Sequence, residues 1–262
     1  MSDWLHALPV VWMGLVIFGT TYLISAVIYV IVIIFATGRR AQSFRAVTPG
    51  LLSPLGVIFG LFVVFTAVQV WNDNDRAKAA IDREASALRA VVVFASAFPG
   101  EPEQRMRALV RQHIQEMATQ EWPMMERQTA TISIAPRHLF EALQVALALV
   151  PGNPGQQAAE REIVAQIEAA LDARRQRIII CRAQVHPFKW ICLLAQAIIV
   201  LLAIAVVHSD DRLAAIIALA IFATAVASCV LLIAAYDRPF VGQLSLTPRP
   251  LLQVMPESGG LN

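Results

Sequence analysis

Charge is what this sequence has least of. Lys, Arg, Asp and Glu make up 15% of its 262 residues, where soluble domains run near roughly a quarter. So little charge cannot wet a closed surface, and the mean hydropathy of +0.61 agrees: the chain reads as an integral membrane protein. Cysteine is scarce too. Cys181, Cys192 and Cys229 have neither CxxC spacing nor the density of a disulfide scaffold, and read as small apolar packing residues. The formal net charge of +2 argues against a polyanionic partner, and no basic stripe interleaved with aromatics points to nucleic acid. GxSxG, P-loop, HExxH and Rossmann fingerprints are all missing, so an enzyme is not expected and no cofactor is implied. The first nine residues carry no Lys or Arg, and the apolar run after them is too long for a signal-peptide h-region, so a cleaved leader is not expected.

What is present is four long apolar runs. Residues 9–36 contain no charge and exceed the roughly 20 residues needed to cross the hydrocarbon core. After a basic connection, 37–50, a second run covers 51–71 and ends at Trp71, a plausible interfacial aromatic. Runs three and four cover 188–208 and 213–236, separated by a tight turn of Ser209, Asp210, Asp211 and Arg212. None of the four contains Asp or Glu, so no intramembrane acid is available to shuttle protons. The expected fold class is an all-α integral membrane protein with a helical cytosolic domain inserted between spans two and three. Its parts are 1–71 for helices one and two, 72–187 for the helical domain, 188–236 for helices three and four, and 237–262 for a Pro-punctuated tail without helix.

Within the inserted region, run two passes into WNDNDRAK without a Gly or Pro break, and Ala77, Ile81, Leu88 and Val91 fall on one amphipathic face. Pro99-Gly100 is expected to end that helix. The next begins with acids in its first turn, at EPEQ, and is expected to stop at Trp122-Pro123. Residues 128–136 read as loop. A helix from about 137 to 150, the turn PGNPG and a long helix from about 156 to 186 complete the region.

The second run and the tail together resemble the bestrophin superfamily, and the whole chain resembles a bestrophin-like membrane protein of the DUF4239 type. The string LGVIFGLFVVF (55–65), then TAVQVW and NDNDRA, matches the Leu-Gly, apolar run and terminal Phe of the bestrophin second helix. DRPFVG (237–242) matches the family's Asn/Asp-Pro-Phe-Gly motif with one extra residue inside it. Glu121-Trp122-Pro123 and Asp237-Arg238-Pro239-Phe240, with Gly242, look like signatures of this subfamily. The resemblance implies a homopentameric ion channel whose second helix lines a hydrophobic neck, with the neck positions falling on Val57, Leu61 and Phe65. Their i, i+4, i+8 spacing lies along one helix face, and five such faces would stack three apolar rings that gate by dewetting. Gly56 and Gly60 would permit close helix approach beside that face. Apolar residues at that spacing also occur in any membrane helix that packs or faces lipid. Calcium-responsive bestrophins carry an acidic run after the Pro-Phe-Gly motif. Here the position reads QLSLTPRP, with no carboxylate until Glu257, so gating by hard-oxygen calcium ligands is not expected.

Other features carry two readings each. Asp73 and Asp75 are placed to ring a pore mouth, or are solvated acids at a helix start. His113, His138 and Glu141 read as surface residues rather than a metal set, and no metal is expected. Arg174, Arg175 and Arg177 read as a solvated, salt-bridged face rather than a lipid-head or anion site. Basic residues near membrane ends, among them Arg76, Lys78, Arg182, Lys189 and Arg238, outnumber Arg39, Arg40, Arg45 and Arg212 on the opposite side. The positive-inside rule thus places both termini and the helical domain in the cytoplasm of a bacterial inner membrane, although the flanks of helix one taken alone point the other way. The expected partners are membrane lipids, further copies of the chain and inorganic ions. The rival function is a non-conducting membrane scaffold or sensor whose cytosolic helices bind a protein.

Overall fold

The structure, a computed structural model, describes His6, residues 8–35 and residues 49–257. Arg39, Arg40 and Arg45, on which the orientation argument draws, lie outside the described residues. Among those described, the chain is helical without strands, and four helices are long and apolar enough to cross a bilayer. These are α1 (Val10–Phe35), α2 (Leu52–Ala95), α7 (Pro187–Val207) and α8 (Arg212–Tyr236). Between them come α3 (Glu101–Glu116), α4 (Trp122–Glu126), α5 (Arg137–Leu147) and α6 (Pro154–Ile180), and α9 (Arg249–Gln253) closes the chain. A helix satisfies its own backbone polar groups, which is why uncharged runs of this length in hydrocarbon adopt no other open form. The caps follow the sequence. Asp211 Oδ1 accepts from the N–H groups of Leu213 and Ala214 at the start of α8. Asn153 Oδ1 accepts from the N–H of Gln156, with Pro154 at the first helical position of α6.

Two compact units emerge. The first comprises residues up to Asn72, Gln184–Arg238 and Gly242–Leu244; the second comprises Asp73–Ala183, Pro239–Val241 and the residues from Ser245 onward. Helix α2 supplies residues to both. In the first unit α1, α7, α8 and the start of α2 enclose Ile17, Phe59, Leu193, Leu201, Ala223 and Ile233. Small residues mark the close approaches: Ala197, Ala223, Ala227 and Ala234 are buried, as expected where packing rather than water exclusion joins membrane helices. Thr20 and Thr21 turn their hydroxyls back to carbonyls one turn earlier, and Tyr22 Oη bonds Thr224 Oγ1 at 2.7 Å, joining α1 to α8.

The second unit has its own core, including Ile81, Leu88, Val91, Ile114, Leu139 and Ile163. Here the structure corrects the reading of Trp122-Pro123 as a helix stop. The helix begun at Glu101 continues to Glu126 through a π-helical turn, Met117–Glu121, and the Trp122 N–H reaches the Met117 carbonyl five residues back. A proline has no N–H and its ring collides with the carbonyl four residues earlier; the extra residue of a π turn relieves that collision without ending the helix. The tail is also more ordered than expected. Phe240 and Leu251 are fully buried in this core, and α9 is a short helix within it.

Candidate functional site

In the first unit, α2 has two faces. Phe59, Thr66, Ala67 and Val70 are buried, while Val57, Leu61 and Phe65 are 60%, 51% and 71% exposed in the protomer. At 100° per residue those three, with Val64 and Val68 between them, form a strip on the side opposite the buried set. Val57 to Phe65 covers about 12 Å of helix axis. A Cβ at Gly56 or Gly60 would have no described atom within 4 Å, so the close approach these glycines permit is not made inside the protomer. The strip is wholly apolar. Thr66, the first hydroxyl after Ser53, is buried and donates to the Phe62 carbonyl at 2.8 Å.

Asp73 and Asp75 do not start a helix, as one reading had it, but lie in the middle of α2 and open the second unit. Asp73 is loosely paired with Arg76 at 3.9 Å, one turn on, and Asp75 is exposed.

The two subsignatures divide between the units. In the first, the Val185 N–H donates to Asp237 Oδ1 at 2.6 Å, and His6 Nε2 lies 3.6 Å from Asp237 Oδ2. Arg238 Nη2 donates to Gln184 Oε1 at 3.2 Å. Gly242 has φ +92°, and a Cβ there would sit 3.0 Å from the His6 carbonyl, so only glycine fits. This part of DRPFVG thus ties the end of α8 to the chain entering α7. In the second unit the remaining signature residues meet: the rings of Trp122 and Phe240 stack edge to face with centroids 5.5 Å apart.

Beneath Trp122 lies a network that sequence reasoning missed. Glu84 and Arg177 are both 0% exposed and form two hydrogen bonds, at 2.8 Å from Nε and 3.2 Å from Nη2. The same Nη2 donates to Glu121 Oε1 at 2.6 Å, while Arg174 Nε donates to Glu121 Oε2 at 2.7 Å. His113 Nε2 sits 3.2 Å from Glu84 Oε1. An ionised carboxylate only accepts, so that nitrogen carries the proton. The Arg177 guanidinium lies 5.7 Å from the Trp122 ring centroid. Burial alone would raise the Glu84 carboxyl, but the Arg177 charge and the His113 N–H outweigh it and hold it down to about 2. Arg174 and Arg177 are therefore not a solvated face, and His113 is not a surface residue; only Arg175 of the basic cluster is exposed. His138 instead pairs with Glu116 at 3.3 Å, and no cluster with metal-ligand geometry exists among the described residues.

The signal for this network was present as interruptions. Ala77, Ile81, Leu88 and Val91 leave position 84 of their stripe to Glu84. In α6 the stripe Ile163, Ile167, Ala170 continues as Arg174 and Arg177, and in α3 Met106 and Val110 continue as His113 and Met117. A charge at a core position of a helix needs a partner: Glu84, His113 and Arg177 find one another, and Arg174 joins Arg177 on Glu121.

Comparison with known proteins agrees with this architecture. A variant of a bacterial bestrophin homologue from Klebsiella pneumoniae superposes with a TM-score of 0.69 at 14% identity, covering 92% of this chain and 99% of that one. Another structure of a bestrophin homologue from Klebsiella pneumoniae gives 0.69 at 13% identity, over 90% and 97%. A structure described as a membrane protein gives 0.71 at 13%, over 92% and 99%. No curated protein matches the chain. At such identities the likeness is one of fold. The family model for the bestrophin-like domain matches residues 9–251, and the chain belongs to the bestrophin-like family.

Proposed function

We propose that the protein is an oligomeric ion channel, a homopentamer of the bacterial inner membrane with cytoplasmic termini, whose neck is lined by Val57, Leu61 and Phe65. The observation that carries this reading is the strip on α2. Its residues are open in the protomer and oppose the buried face, the glycines beside it have no described atom near an added Cβ, and the resemblance to bestrophins implies a ring with this helix at the axis. In such a ring each of the three positions contributes an apolar collar, and a collar narrow enough to dewet bars ions until it widens. Asp73 and Asp75 continue the same helix and would set negative charge near one mouth, favouring cations there. The tail after DRPFVG offers no acidic run, so calcium does not gate it through that segment.

A second reading is favoured by one observation. Between Ser53 and Gln69 the exposed strip has no polar atom to wet a pore. A non-conducting scaffold or sensor, with second-unit helices that bind a protein partner, would tolerate that.

Flux through purified protein in liposomes separates the two, comparing wild type with Val57→Ala/Leu61→Ala/Phe65→Ala under sodium and chloride gradients. The channel reading expects flux that rises sharply in the triple variant, with a reversal potential that gives the ion's sign, and a pentamer by native mass spectrometry. Silence in both proteins, with the variant still assembled, supports the scaffold.

A further inference from the structure

The second unit contains a cavity of about 160 Å³. It opens beside the π turn, between α3, the π turn, the loop before α5 and Arg174 of α6. For scale, an apolar cavity of about 150 Å³ holds a benzene ring. Its walls are part apolar, from Met117, Met124, Ala130, Ile134 and Pro136, and part charged, from Glu116, Glu121, His113 and Arg174. The loop that closes it leaves α4 through Gln128, at φ +57°, a conformation that a residue other than glycine adopts rarely and at some energetic cost.

The charges decide what it would hold. Glu84 and Glu121 are matched by Arg174 and Arg177 in the buried network, two against two. His113 is engaged by Glu84 through its Nε2. Glu116 stands outside that network. It lines the cavity with a side chain still 33% exposed, and its contact is His138 at 3.3 Å. An anion entering here would meet two carboxylates and a guanidinium already engaged by Glu121 and by the Ile134 carbonyl. A cation with an apolar body would meet an available carboxylate at the opening and methionine, alanine and isoleucine inside. We infer that this cavity binds a small organic amine, its ammonium on Glu116 and its apolar body of about six to eight heavy atoms against Met117, Met124 and Ile134. The assignment does not depend on conduction, since it concerns binding within the second unit alone.

Benzylamine is a suitable probe, with benzyl alcohol as its neutral isostere and benzoate as its anionic counterpart. Binding to the full-length protein in detergent is followed by calorimetry and by saturation-transfer NMR. The expected result is that benzylamine binds at least about tenfold more tightly than benzyl alcohol or benzoate, the ratio a charge-assisted hydrogen bond supplies. Glu116→Gln, at a partly exposed site, weakens benzylamine by a similar factor and leaves benzyl alcohol unchanged. Ala130→Leu, which fills the cavity from its wall, abolishes both. The proposal is overturned if the folded wild type binds no benzylamine, if Glu116→Gln binds it as well as wild type does, or if benzoate is preferred.

Discussion

Replacing Arg177 by Met would remove a cation that touches both Glu84 and Glu121. Glu121 keeps Arg174 at 2.7 Å, but Glu84 is left fully buried with only the His113 N–H. Breaking a buried pair from one side costs about 3–5 kcal/mol, and that is the loss expected at pH 8. The pH dependence is the sharper test. In the wild type the Glu84 carboxyl is held down to about 2, so its stabilisation is complete above the ordinary carboxylate range and fades only as pH falls toward 2. In the variant the Arg177 charge is gone and burial dominates, which carries the same carboxyl above its ordinary value. The penalty is then present at high pH and relaxes as pH falls and Glu84 takes up a proton, by up to about 1.4 kcal/mol per pH unit. Guanidinium unfolding in detergent micelles, followed by circular dichroism at pH 8 and pH 5.5, measures both. The wild type is nearly flat across that window as far as Glu84 is concerned, so the gap between the proteins narrows at pH 5.5. Glu84→Gln combined with Arg177→Met should recover much of the pH 8 loss. A loss below about 1 kcal/mol at pH 8, or one equal at both pH values, would refute an ionised, Arg177-dependent Glu84.

Three further outcomes are expected. Phe240→Ala removes a fully buried ring stacked on Trp122 and should cost about 3–5 kcal/mol, measured by the same unfolding assay; a cost under 1 kcal/mol would mean that the motif does not seat the tail. Asp237→Asn retains a side-chain oxygen for the Val185 N–H at 2.6 Å, whereas Asp237→Ala does not, so Ala should lower the melting temperature more than Asn; the reverse order would assign the residue's role to its charge. In a background without Cys181, Cys192 and Cys229, Leu61→Cys should oxidise to covalent dimers between copies in membranes while Leu15→Cys on α1 stays monomeric on a denaturing gel, and equal cross-linking would remove α2 from the axis.

The second unit was legible where water imposes a contrast. On α2 beyond Asn72 most solvated positions are charged and nearly all buried ones apolar, so Ala77, Ile81, Leu88 and Val91 declare their face. The same contrast makes Glu84 conspicuous, because a carboxylate has been set in the apolar stripe. Its signal is the position it holds in the stripe, which a list of apolar residues alone does not carry. The same holds for His113, Arg174 and Arg177, whose chemistry suits a surface while their register places them inside. The π turn failed for a different reason. Proline rules describe an α register, and Pro123 is tolerated because the backbone changes register around it.

The first unit offers no such contrast. In hydrocarbon, the side chain that faces lipid, the one that meets a second copy and the one that constricts a pore are all apolar, since none can satisfy a polar group there. Leu15 on α1 is 59% exposed and Leu61 on α2 is 51% exposed; the protomer treats them alike, and so does any periodicity. What distinguishes α2 is how it continues. The helix changes within a few residues from an uncharged strip to Asp73 and Asp75 without a break. A lipid-facing anchor does not need that continuation, whereas at the axis of the proposed ring it would bring the acids of every copy to one mouth.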